Sequence, residues 1–168
     1  MRLFAAAELN DAIKDELCMS QKRLQQKGMK GSFVPRQNMH LTLAFIGEYS
    51  DAELVREVVD QTDFDGFEIG LDGIGAFGNL WWAGINFGDD RELKAVAKKL
   101  RRGLADAGIP FDRKKFSPHI TLVRKAQSID GKIPESVLDG IPQAGMYVDR
   151  ISLMRSDRGR HGMIYTVL

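Results

Sequence analysis

One short pattern occurs twice in this chain. Asn38-Met39-His40-Leu41-Thr42-Leu43 returns as Ser117-Pro118-His119-Ile120-Thr121-Leu122, each time as His-apolar-Thr-apolar, and the two copies use two of the three histidines present. On a β-strand, residues i and i+2 share a face. His40 therefore stands beside Thr42, and His119 beside Thr121, while Leu41, Leu43, Ile120 and Leu122 point the other way, into a core. Each strand offers one titratable imidazole and one hydroxyl on the same side. Two such strands face to face can bracket a single phosphate.

The two histidines are 79 residues apart, and the same shift relates their surroundings. It carries the apolar run Leu3-Phe4-Ala5-Ala6-Ala7 onto Trp82-Ala83-Gly84-Ile85-Asn86. Both runs read as buried strands. Each is followed by a helical pattern, over 11–27 and 90–107, that ends near a glycine, Gly28 or Gly108, and each half then reaches its His-x-Thr strand. The order strand–helix–strand, repeated, predicts a duplicated fold with two lobes related by a pseudo-twofold axis. The expectation is one domain over 1–168 with an internal repeat at offset 79. Its fold class is α+β, with antiparallel sheets lining a central cleft and helices packed outside.

The remaining elements are read from local signals. Asn10 or Asp11 caps the first helix, whose core positions include Ile13, Leu17 and Leu24. Residues 28–38 form a connection marked by glycine and proline around Phe33-Val34, and Ser50-Asp51-Ala52-Glu53 is a capping-box pattern opening a helix to about Val59. Strands are expected at 2–9, 40–46, 67–76, 80–87 and 118–124. Residues 126–144 read as a loop with one helical turn at 134–139. Two closing strands, 146–154 and 162–168, flank a polar turn from Arg155 to His161.

Net charge is close to zero, yet it is unevenly spread. Residues 48–72 carry nine acidic side chains against Arg56 alone, and residues 91–125 carry eleven basic against three acidic. Arg113, Lys114 and Lys115 precede the second motif, and Arg124 and Lys125 follow it. These read either as solvated faces or as groups that attract a polyanion. Cys18 is the only cysteine, so no intramolecular disulfide forms, and the residue reads as small apolar filler. No apolar run reaches the ~18 residues of a membrane span. A cytoplasmic monomer is the expectation.

A phosphodiester opens without a metal when three needs are met: a base for the nucleophile's proton, an acid for the departing oxygen, and donors for the non-bridging oxygens. Histidine suits the first two because its ordinary pKa, about 6.5, makes both protonation states accessible near neutrality. Thr42 and Thr121 suit the third. No His-x-His or Glu-x-x-His pattern brings His161 in as a third metal ligand. The glycines at 70, 73, 75 and 78 lack the Gly-Lys-Ser/Thr of a phosphate-binding loop. Neither a metal nor another cofactor is expected.

These motifs resemble those of the two-histidine phosphoesterase superfamily, and within it the RNA 2′,3′-cyclic phosphodiesterases, also called 2′-5′ RNA ligases. The likeness spans Arg2–Leu9, Asn38–Gly47, Phe116–Arg124 and Gly162–Leu168. The resemblance implies a bilobal α+β fold and metal-free opening of 2′,3′-cyclic phosphate ends of RNA, including tRNA fragments, to 2′-phosphates. Joining of ends through 2′-5′ linkages without ATP is implied as well. It also implies that His40 is the proton donor and His119 the proton acceptor. Departures at 34–38, at Val123 and at Ser156-Asp157-Arg158-Gly159 fall at the expected rim of the cleft, where they bear on substrate choice.

Phe45, Arg124, Tyr165 and Arg155 are the candidate substrate contacts. Strict alternation puts Arg124 on the face opposite His119 and Thr121, so it reaches the cleft only if the strand bulges or ends there. Tyr165 reads as a base-stacking or phosphate-binding residue, or as a half-buried strand tyrosine. His161, with Arg158 and Arg160, reads as an exposed turn or a rim that meets RNA. Trp82, aligned with Leu3, reads as core, which leaves Trp81 as the tryptophan free to stack on a base. Two other functions use the same residues: a nucleotide- or RNA-binding module with little catalysis, and a phosphodiesterase for small cyclic nucleotides.

Overall fold

The computed structural model describes residues 1–85, 90–127 and 144–168. The expected end of the strand at 80–87 and the helical turn at 134–139 lie outside the described residues. Two antiparallel sheets carry the fold. The first has the order β3-β1-β8-β9, built from β1 (Arg2–Glu8), β3 (His40–Glu48), β8 (Ser152–Gly159) and β9 (Gly162–Val167). The second has the order β2-β6-β5-β4-β7, built from β2 (Lys30–Phe33), β4 (Phe67–Phe77), β5 (Leu80–Ile85), β6 (His119–Gln127) and β7 (Gly145–Val148). Three helices, α1 (Asp11–Gln26), α2 (Ala52–Asp60) and α3 (Arg91–Asp106), complete the described α+β fold.

The helices start where the sequence says they should. Asn10 caps α1 by accepting from the Ile13 amide at 2.9 Å, and Ile13, Leu17 and Leu24 are wholly buried beneath it. Asp51, rather than Ser50, caps α2, accepting from the Leu54 amide at 3.0 Å. In α3 the buried stripe is Leu93, Val96, Ala97, Leu100 and Leu104. Its spacing of three and four residues is that of one helix face. α1 packs against β6 and β7, and α3 against β3 and α2. One large contiguous cluster joins both sheets to these faces, and a smaller one, Phe4, Ala6 and Met154, lies apart from it.

Two expectations need correction. Residues 146–154 are not one strand: β7 edges the second sheet and β8 belongs to the first, with Asp149-Arg150-Ile151 crossing between them. The polar segment from Arg155 to His161 is mostly strand as well. β8 pairs with β9 out to Gly159 opposite Gly162, leaving Arg160 and His161 as the turn. A two-residue hairpin loop needs few turn-formers, so the polar residues around it sit in strands without disturbing them.

The motif strands share a distortion. Along β3, Ala6 faces Thr42 but Ala5 faces Ala44, so Leu43 is an extra residue in the ladder. Along β6, Trp82 faces Thr121 but Trp81 faces Val123, so Leu122 is extra there. Each is a β-bulge, and each puts two successive side chains into the core. Leu43 and Ala44 are buried, as are Leu122 and Val123. After the bulge the alternation resumes with reversed phase. Phe45 and Arg124 therefore return to the face of the histidines.

Candidate active site

β3 and β6 approach each other to within 8 Å between Cα atoms, and the charge of His119 is felt at His40. The imidazoles are held alike. His40 Nδ1 lies 2.7 Å from the Asn38 carbonyl, and His119 Nδ1 lies 2.7 Å from the Ser117 carbonyl. A carbonyl can only accept, so Nδ1 carries the hydrogen in both rings, and Nε2 is the nitrogen left free. Both rings are half-buried, and hydrogen bonds to main chain fix their orientation.

Each ring also rests on aromatic neighbours. His40 lies 4.7 Å from Phe4 and edge-on to Tyr165 at 5.2 Å, centroid to centroid. His119 meets Phe77 edge-on at 5.4 Å and Trp82 at 6.4 Å. The tryptophan expectation is thus reversed: Trp81 is buried at 5 % exposure and Trp82 stands half-exposed beside His119. The ladder explains the reversal. Trp82 opposes Thr121 just as Ala6 opposes Thr42, a correspondence three residues away from the alignment of Trp82 with Leu3. An odd shift moves a strand residue to the other face. Room for the indole comes from Gly75 on β4, where a Cβ would lie 2.3 Å from the Trp82 ring.

A cavity of about 780 Å³ opens beside His40, within the usual size of a small-ligand site. Thr42, Phe45, Arg124, Tyr165 and His161 line it together with His40. Its wall also contains Arg2, Lys125, Arg158 and Arg160 and, among the described residues, no carboxylate, so the site is electropositive and suited to an anion. His119 and Thr121 stand outside this wall, beside Phe77 and Trp82. Lys125 has φ of 53°, a left-handed conformation uncommon outside glycine.

Arg155 does not join the site. It pairs across β1 with Leu3, whose side chain is in the core, and it donates to Asp157 at 2.8 Å on the same face. Strand alternation gives the cleft to Ser156 and Arg158 instead, both in the cavity wall. Sequence reading also missed Phe77, Phe4 and Arg2. The ladder places Arg2 opposite Ser156, and its guanidinium lies 5.0 Å from the Phe45 ring. Only knowledge of the cross-strand register could have found it.

Burial lowers the His40 pKa below its ordinary value, and the charges of Arg124, His119 and Lys14 lower it further, against the raising effect of the Asn38 carbonyl. Among the described residues, no three histidine, cysteine, aspartate or glutamate side chains cluster as metal ligands. No described helix is long and apolar enough to cross a membrane.

An electropositive cavity beside His40 and Thr42, with Arg124 reaching it from the second motif strand, is a site suited to an anion. The chain belongs to the 2′-5′ RNA ligase superfamily, which matches it over residues 13–160. It is 31 % identical to the RNA 2′,3′-cyclic phosphodiesterase of Thermotoga maritima, an alignment covering 100 % of this chain and 93 % of that protein. It is 33 % identical to the protein of the same name from Archaeoglobus fulgidus, over 74 % of this chain and 72 % of that one. Its fold matches Escherichia coli LigT complexed with 3′-AMP with a TM-score of 0.82, at 30 % identity and covering 99 % of this chain and 94 % of LigT.

Proposed function

We propose that this protein is an RNA 2′,3′-cyclic phosphodiesterase that opens cyclic phosphate ends to 2′-phosphates by paired histidine acid–base catalysis without a metal. The observation that carries this is the matched tethering of His40 and His119 through Nδ1, which leaves two Nε2 atoms free. Family membership and the shared name of the relatives support the substrate class.

In the proposed reaction, water attacks phosphorus and His119 Nε2 takes its proton. The bond from phosphorus to the 3′-oxygen breaks as His40, in its protonated form, gives that oxygen a proton, leaving a 3′-hydroxyl and a 2′-phosphate. Burial lowers the proton affinity of His40, so its protonated donor form gains population toward mildly acidic pH. Thr42 and Thr121 donate to the non-bridging oxygens, with Arg124 supplying positive charge. Tyr165 and Phe45 contact the nucleoside. A 5′-hydroxyl in place of water gives a 2′-5′ linkage with no need for ATP. The same reading makes the chain one domain of two duplicated lobes, a cytoplasmic monomer acting on RNA ends such as tRNA fragments.

The test is incubation in EDTA with an oligoribonucleotide ending in 2′,3′-cyclic phosphate, with 2′- and 3′-phosphate products resolved. Clean 2′-phosphate, lost in both His40→Ala and His119→Ala, is expected. Turnover that needs a metal, yields 3′-phosphate or survives either substitution overturns the reading.

A further inference from the structure

A second electropositive groove lies outside the cleft. Its volume is about 420 Å³, and Lys94, Lys98, Arg101, Arg113 and Lys115 line it with Phe111 and Phe116 and, among the described residues, no carboxylate. We propose that this groove binds the phosphodiester backbone of a single-stranded RNA. The inference rests on the RNA substrate proposed above but concerns a separate surface.

Charge and geometry both favour a polyanion. Lys94, Lys98 and Arg101 follow one another at four and three residues along α3, so they form a row rising roughly 6 Å and then 4.5 Å along one helix face. Lys98, Arg113 and Lys115 are exposed, and no described carboxylate is ion-paired with any of them, whereas Lys94 pairs with Asp90 at 3.0 Å. The nearby Asp112 is turned to main chain, accepting from the Lys114 amide at 3.0 Å. The arginines are pre-set. Arg113 lies 4.7 Å over the Phe111 ring, and Arg101 lies 5.5 Å over Phe116. Arg101 is held further by donating to the Leu43 and Lys114 carbonyls at 3.2 and 2.7 Å. A planar guanidinium stacked in place loses little freedom on meeting a phosphate.

The groove borders the second motif in sequence. Phe116 precedes His119 by three residues, at most about 10 Å of extended chain. The lysines and arginines of this groove contact backbone phosphates in this reading. Such contacts tighten binding without reading sequence.

Binding of single-stranded oligoribonucleotides ending in a 3′-hydroxyl tests this by fluorescence anisotropy, since these are not substrates and the readout is independent of turnover. The protein is expected to bind a 12-mer at least ten-fold more tightly than a 3-mer. The exposed pair K98E/K115E should weaken 12-mer binding at least ten-fold. It should also reduce the slope of log affinity against log salt by about 1.4, near 0.7 for each phosphate that is no longer neutralised. The control pair K22E/K27E, on α1 and at its C-cap, changes net charge equally. Unchanged 12-mer affinity in K98E/K115E, an equal loss in the control, or RNA binding unaffected while binding of a polyglutamate peptide is lost would each overturn the proposal. Absence of cyclic-end turnover alongside the expected binding pattern would sink the reading of the cleft and leave the groove standing.

Discussion

Gln21 holds the carbonyl of Leu122: its side-chain amide donates to that oxygen at 3.0 Å and to the Val34 carbonyl at 2.8 Å. Leu122 is the extra residue of the β6 bulge, so a side chain from α1 secures the distortion that turns Arg124 toward the cleft. The other bulge is held in the same manner. Arg101, from α3, donates through Nε to the carbonyl of Leu43, the extra residue of β3, at 3.2 Å.

Gln21→Leu should therefore damage the site as well as the fold. It removes the side-chain donor to two buried carbonyls, at a cost of about 1–3 kcal/mol. Turnover of cyclic ends should fall more than KM changes, because the bulge positions groups around the phosphate. Chemical denaturation and steady-state kinetics check this together. A stability loss with untouched kcat would show the bulge to be structural only.

Thr42→Val and Thr121→Val keep the size and β-branching of the side chain and delete the hydroxyl. Each should lower kcat by roughly 10²–10³-fold if the hydroxyl meets charge developing on the phosphate. An effect confined to KM would make the threonines ground-state binders.

His40 should titrate below its ordinary value of about 6.5, as followed by its ring proton resonances, and Arg124→Gln should raise that value by removing a positive neighbour. Stability follows the same asymmetry. The unfolded chain takes up the His40 proton near 6.5 and the folded chain only at lower pH, so stability falls as pH drops through that window. Thermal melts taken from neutral to mildly acidic pH should show a larger loss for wild type than for His40→Gln.

Phe77 is half exposed, and Trp82 lies 5.1 Å from it, so the pair forms an aromatic ledge beside His119. Stacking of a base there is worth about 1–3 kcal/mol. Phe77→Ala should raise KM for cyclic-ended oligomers roughly ten-fold. Gly75→Ala should do the same indirectly, because its Cβ would displace the Trp82 ring. Kinetics with matched purine and pyrimidine ends would expose any base preference.

Much of this is legible in the sequence because the signals are local. The Asn10 cap, the apolar stripe of α1 and the extents of α1 and α3 depend on neighbours a few residues away, and the structure carries each of them. The tryptophans are misread because a self-alignment does not determine which residues face each other across a ladder. Arg124 can be placed only conditionally, since a bulge reverses every later residue and depends on partners such as Gln21, 101 residues from Leu122 in sequence. Arg155 fails for a related reason. A polar cluster suggests a turn, but pairing with β9 extends the strand and puts Arg155 on the outer face.

The helices are exchanged between the halves. α1 follows β1 of the first sheet yet backs β6 of the second, and α3 follows β5 of the second sheet yet backs β3 of the first. Neither half, severed near residue 62, would keep the support of its own motif strand. The two motif strands are thus interdependent, each backed by the helix that its counterpart's half supplies.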